Sequence, residues 1–168
     1  MPPDAVSSPS TTAPLVTLLC GPAGAGKTTL ARRLEKDGAV RLSMDAATWA
    51  DGWRGAPAPR ERLVALHDGL KDTLVETVGA GRDVVVDFSL STRGIRDEWR
   101  ELAAGAGARV RLVVLRAPLP VLLERVARRG AEPGPDALPF TPDELTAYVT
   151  SFDWPGDDET HELIDTSA

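Results

Sequence analysis

Gly21-Pro22-Ala23-Gly24-Ala25-Gly26-Lys27-Thr28 lies between an apolar run, Leu15-Val16-Thr17-Leu18-Leu19-Cys20, and a stretch of helical pattern from Thr28 to Lys36. The spacing is G-x-x-x-x-G-K-[ST]: the glycines let successive N–H groups turn inward around an anion at the N-terminus of the following helix. Strand, glycine loop and helix in that order predict a triphosphate site. Gly21, Pro22, Ala23, Gly24, Ala25 and Gly26, with Lys27, Thr28 and Thr29 just inside the helix, are the residues expected to surround the phosphates. Lys27 is expected to reach the β- and γ-phosphates, and the Thr28 hydroxyl to ligate Mg2+.

Working outward, the chain of 168 residues is long enough for one domain with a proper core. Residues 1–14 are rich in Pro, Ser and Thr and read as a disordered tail ahead of a domain spanning 15–168. Short strands are predicted at Ala39 to Met44, Asp83 to Phe88, Arg109 to Arg116 and Glu162 to Asp165. Helices are predicted at Ala46 to Trp53, Arg60 to Val78 with Leu63, Leu66, Leu70, Leu74 and Val78 on one apolar face, Arg93 to Ala104, Pro118 to Arg129 and from Thr141 to about Ser151. Strands alternating with helices imply an α/β fold: five parallel strands with helices on both faces, the single-domain P-loop nucleoside-triphosphate hydrolase architecture. Right-handed crossovers bring every strand C-terminus to one edge, where ligands bind.

Composition narrows the function classes. Hydrophobic residues at 42% and charged ones at 26% are usual for a soluble globular chain. No run approaches the length of a membrane span, and the N-terminus lacks the pattern of a secretion signal, so a cytoplasmic location and no membrane partner are expected. A net charge of −6 makes nucleic acid a less favoured partner than a small molecule. The chain has neither Asn nor Gln. An N-K-x-D guanine-reading motif is therefore impossible, which points to ATP. The single Cys20, at the end of an apolar strand, reads as a core filler rather than a nucleophile.

Four further features carry chemistry. Val84-Val85-Val86-Asp87 is an apolar strand closed by an acid, the Walker B pattern, and Asp87 is a second expected Mg2+ ligand. Asp45, at the end of the second predicted strand, is either a general base for an acceptor hydroxyl or the N-cap of the following helix. Arg125 and Arg129, four apart on one helix face beside Arg128, either stabilise the transferred phosphoryl group or complement the helix dipole. Gly130 to Phe140 after them is expected to be a short arginine-bearing lid. Arg93 and Arg96 follow the Walker B strand and either line an acceptor site or begin a solvated helix, while Trp49 shares a helix face with Trp53 as an acceptor wall or as core. His67 and His161 lack the neighbours of a metal site.

Together these residues resemble the small P-loop kinases typified by polynucleotide 5′-kinase, the zeta toxins and chloramphenicol phosphotransferase. The resemblance rests on Gly21 to Thr28, Asp45, Val84 to Asp87 with the arginines beyond it, Arg125 with Arg129, and Phe152-Asp153-Trp154-Pro155 leading to Glu159. It implies transfer of the γ-phosphoryl group of Mg-ATP to a hydroxyl acceptor, with Asp45 as base, Arg125 and Arg129 on the phosphates, and Ile164 to Thr166 near adenine. The expected acceptor is a small molecule; a nucleic-acid 5′-hydroxyl, or a protein partner of a plain ATPase, are the alternatives.

Overall fold

Among the described residues, eleven elements follow one another in the order read from the sequence. The structure, a computed structural model, describes residues 12–54, 57–130, 134–135 and 140–168. The strands are β1 (Leu15–Cys20), β2 (Val40–Ser43), β3 (Val84–Asp87), β4 (Arg109–Arg116) and β5 (Glu162–Asp165). The helices are α1 (Lys27–Lys36), α2 (Met44–Ala50), α3 (Arg60–Gly79), α4 (Arg93–Gly105), α5 (Leu119–Gly130) and α6 (Pro142–Thr150). All five strands pair in parallel, in the order β2-β3-β1-β4-β5.

β1 is central and apolar because both its faces are covered. Val16, Leu18 and Cys20 join a cluster with Leu74, Trp99 and Ala103, under α3 and α4. Leu19 points the other way, to Ala31, Leu122, Val126 and Leu145 under α1, α5 and α6. β3 divides likewise, Val84 and Val86 to the first cluster and Val85 to the second. Helix starts follow their capping chemistry: the Thr92 hydroxyl accepts from the Ile95 amide at the head of α4, and Thr141 and Glu144 cap α6 reciprocally behind Pro142.

Three expectations are corrected or fall outside the described residues. β2 stops at Ser43 and α2 starts at Met44, so Asp45 sits in the first turn of a helix rather than at a strand end. The N-cap considered for Asp45 is Ser43, whose hydroxyl accepts from the Ala46 amide at 3.2 Å. The stripe Leu63, Leu66, Leu70, Leu74 and Val78 on α3 is core only at its C-terminal end, where Leu74 and Val78 are buried. Leu63 stays exposed, because the N-terminal half of α3 borders a cavity. Most of the tail (1–11) and most of the expected lid (131–133 and 136–139) lie outside the described residues.

Candidate active site

The glycine loop leaves β1 at Cys20 and enters α1 at Lys27. Gly21 admits no side chain, since a Cβ there would stand 2.6 Å from the Leu115 carbonyl oxygen of β4. Gly26, the residue before α1, has φ 100°, a left-handed conformation that glycine adopts without steric cost. No side chain caps α1 and its first turn holds no acid, so its first N–H groups and dipole are available to an anion. The Gly21 amide donates to the Ser89 carbonyl at 3.0 Å, tying the loop to the segment after β3.

Lys27 Nζ donates to the Pro22 carbonyl at 3.0 Å. Burial pushes its ammonium down to about 8, with the nearby Arg129 charge acting in the same direction and Asp87 and Asp45 opposing. Thr28 Oγ1 donates to Asp87 Oδ2 at 3.2 Å. This hydroxyl and carboxylate, brought together from sequence positions 59 apart, fit Mg2+, which takes few protein oxygens and completes its shell with water and phosphate. The same Asp87 oxygen accepts from Arg41 Nε at 2.9 Å and Nη2 at 2.7 Å. Sequence reading missed Arg41. Its signal was faint: β2 pairs with β3, and only that neighbour relation brings a β2 side chain to the Walker B acid.

Two cavities meet around the loop. The larger, about 570 Å³, is bordered by Lys27, Thr28, Asp87, Asp45 and Arg129 and extends to Leu63, His67 and Tyr148. The smaller, about 260 Å³, is bordered by Gly26, Thr29, Arg33, Arg125, Ile164 and Thr166. Arg129 borders both. Arg125 is a clamp on the smaller side: its guanidinium donates to the Gly24 carbonyl and the Thr166 hydroxyl, each at 3.1 Å, and to the Thr166 carbonyl. The Thr166 hydroxyl in turn donates to the Ala25 carbonyl at 2.8 Å. Arg128 turns outward to Glu124.

The acceptor-lining roles considered for Arg93, Arg96 and Trp49 are corrected. Arg96 is fully buried behind the larger cavity. Its Nη2 meets Glu159 at 2.7 Å and its Nη1 donates to the Leu90 and Asp153 carbonyls at 3.0 and 2.7 Å. Arg93 pairs with Asp97 and Asp158 on the surface. Trp49 lies outside the cavity wall, under the Arg54 guanidinium at 5.2 Å. The Arg96 hydrogen bonds hold Glu159 well below the usual carboxylate range, at about 2, against the opposing effect of burial. Cys20 is a buried thiol whose Sγ meets the Leu90 carbonyl at 3.5 Å, and burial pushes it up to about 11. It is core, as expected.

Residues 16–153 match the profile of the family described as AAA domain. The chain belongs to this AAA domain family. Nucleotide use goes with the family. No curated protein sequence matches the chain. Among solved structures, this AAA domain protein is similar to one from Chloroflexus aurantiacus described provisionally as a kinase, with 22% identity, TM-score 0.73, and 93% and 90% of the two chains covered. A gluconokinase from Sinorhizobium meliloti follows at 21% identity and TM-score 0.61, covering 93% and 85%. Kti12 of Chaetomium thermophilum, solved with ADP-AlF3, gives 18% identity and TM-score 0.66, covering 90% and 88%. The AAA domain protein thus has the single-domain fold of small P-loop kinases. Among its described residues no helix is long and apolar enough to cross a membrane.

Proposed function

We propose that the chain is an ATP-dependent phosphotransferase that moves the γ-phosphoryl group of Mg-ATP to a hydroxyl of a small-molecule acceptor. The observation that carries this reading is a single cavity bordered at one end by Lys27, Thr28 and Asp87 and along its wall by Asp45. A carboxylate on the wall of the cavity that also holds the phosphate end is what transfer to an acceptor requires.

The roles follow from position. The glycine loop and the first turn of α1, through Thr29, hold the phosphates, Lys27 neutralises the β- and γ-phosphates, and the nucleoside goes to the smaller cavity, which Arg125, Ile164 and Thr166 border. Thr28 and Asp87 would hold Mg2+, which when bound would supply charge neutralisation on the phosphate oxygens. Asp45 takes the acceptor hydroxyl proton as that oxygen bonds to the γ-phosphorus and the bond to the β,γ-bridging oxygen breaks, releasing ADP. Arg129 faces the charge spread over the equatorial oxygens.

The nucleic-acid alternative is less supported, because Arg93, Arg96 and Arg100 are engaged by Asp97, Asp158 and Glu159 rather than gathered into a basic groove. A plain ATPase acting through a protein partner has no use for the Asp45 wall. The test is transfer of γ-labelled phosphate from ATP across a panel of hydroxylated metabolites, antibiotics and oligonucleotides. Label found only in inorganic phosphate under all of them would sink the reading.

A further inference from the structure

The structure describes seven exposed large hydrophobic side chains, and four of them, Leu63, Val64, Ile95 and Phe140, border the larger cavity. Exposed apolar surface gathered in one concavity marks a binding face, whereas scattered residues carry no such meaning. On α3 the residues facing this cavity are Arg60, Leu63, Val64 and His67, the i, i+3, i+4, i+7 face of a helix, continuing outward the stripe that is core at Leu74 and Val78. Elsewhere on the wall, the Phe140 and Tyr148 rings stack with centroids 6.0 Å apart and planes 26° apart. Phe88 is set edge-on against buried Trp99 at 4.9 Å, so its ring is fixed from behind.

Charge is sparse on this side. Of the cations bordering the cavity, Lys27 and Arg129 belong to its phosphate end, leaving Arg60 as the one cation of the acceptor side among the described residues. A polyol needs many hydrogen-bonding partners, and a nucleic-acid end needs cations for its phosphates. His67, Ser89, Ser91 and the Tyr148 hydroxyl are the other polar groups of this wall, and the flat and branched apolar side chains around them suit neither ligand. At about 570 Å³, shared with the phosphate end, the space takes a small molecule.

We infer that the acceptor is an alcohol with an apolar, ring-sized body, its hydroxyl directed at Asp45 and its body held between the α3 face and the Phe140–Tyr148 pair. This rests on the kinase reading above and names the substrate class of the same site.

The test separates binding from turnover. Phenethyl alcohol, cyclohexylmethanol, gluconate and a 5′-hydroxyl thymidine oligonucleotide are titrated into the full chain with a non-hydrolysable ATP analogue and Mg2+, binding being followed by ligand-observed NMR. Both apolar alcohols are expected to bind at least about tenfold more tightly than the other two. Leu63→Asp and Val64→Asp, at positions exposed in the folded chain, are expected to weaken that binding about tenfold while the melting temperature and the affinity for the ATP analogue stay unchanged. Gluconate or the oligonucleotide binding as tightly as the alcohols, or both variants binding the alcohols as the parent does, overturns the inference. Labelled phosphate reaching gluconate or the oligonucleotide in preference to the alcohols also overturns it and leaves the kinase reading standing. Release of inorganic phosphate alone with every compound removes the kinase reading, and the binding preference still decides the apolar class.

Discussion

Arg96 Nη1 donates to the Leu90 carbonyl at 3.0 Å, and Leu90, with φ 48°, is the one non-glycine residue of positive φ among those described. A left-handed leucine costs roughly 1–2 kcal/mol, so its surroundings must enforce it. Leu90 borders the larger cavity just beyond Asp87. Arg96, itself held by Glu159, thus fixes the backbone of the acceptor wall without touching the cavity. Removing one partner of such a buried pair costs about 3–5 kcal/mol. We expect Glu159→Gln to lose stability of that order in urea unfolding and to raise KM for the acceptor more than KM for ATP. Equal effects on both would mean that the pair supports the fold alone.

The same pair sets an acid limit. Glu159 titrates in the folded chain at about 2, below its ordinary 4.5, so the stabilisation it gives is fully present above pH about 4.5 and is lost as pH falls toward about 2. Stability measured by denaturant unfolding should fall across that window, and Glu159→Gln should flatten this part of the profile. An unchanged slope in the variant would assign acid sensitivity to other carboxylates.

Burial pushes the Lys27 ammonium down to about 8. Only its protonated form opposes phosphate charge, so nucleotide binding above pH 8 requires proton uptake, and affinity should decline as pH rises through that value. Calorimetry in buffers of different ionisation enthalpy reads the proton directly. Lys27→Ala should remove the pH dependence and weaken ATP binding by about 1.5–3 kcal/mol.

Asp45→Asn keeps the shape of the wall and removes the proton acceptor. Turnover with the true acceptor is expected to fall about 10²–10⁴-fold with ATP affinity nearly unchanged. A near-parental kcat would show that Asp45 is not the base.

Arg41 shares Asp87 Oδ2 with Thr28. A fixed positive charge beside a divalent cation repels it, so Arg41→Leu should lower the Mg2+ concentration that half-saturates binding of a fluorescent ATP analogue. Electrostatics at the surface of such a site put the change at severalfold, on the order of 1 kcal/mol. A rise instead would mean that Arg41 chiefly holds the carboxylate in its ligating rotamer.

Much of this fold was legible because its signals are local. The apolar runs of β1, β3 and β4 and the glycine loop each specify themselves within eight residues or fewer. Lys27, Thr28, Asp45 and Asp87 could be picked out because strand C-termini converge on one edge, and all four border the same cavity. What the sequence did not disclose depends on distant pairing. Arg96 and Glu159 are 63 positions apart, and an arginine after a Walker B strand looks the same on paper whether it faces a substrate or a buried acid. Arg41 needed the β2-β3 register, and the α3 stripe needed the place where the helix passes from core to cavity wall. Asp45 was misread as strand-terminal because Ser43, two residues earlier, ends the strand and caps the helix at once.

Arg129 borders the nucleotide-side cavity and the acceptor-side cavity together. If ligands fill both spaces, one cationic group faces each of them, and its charge would make their affinities interdependent. Whatever factor one ligand imposes on the other is returned unchanged in the opposite order of addition. On the proposed kinase reading, a single side chain in the last turn of α5 would couple the two ligands thermodynamically before any chemistry occurs.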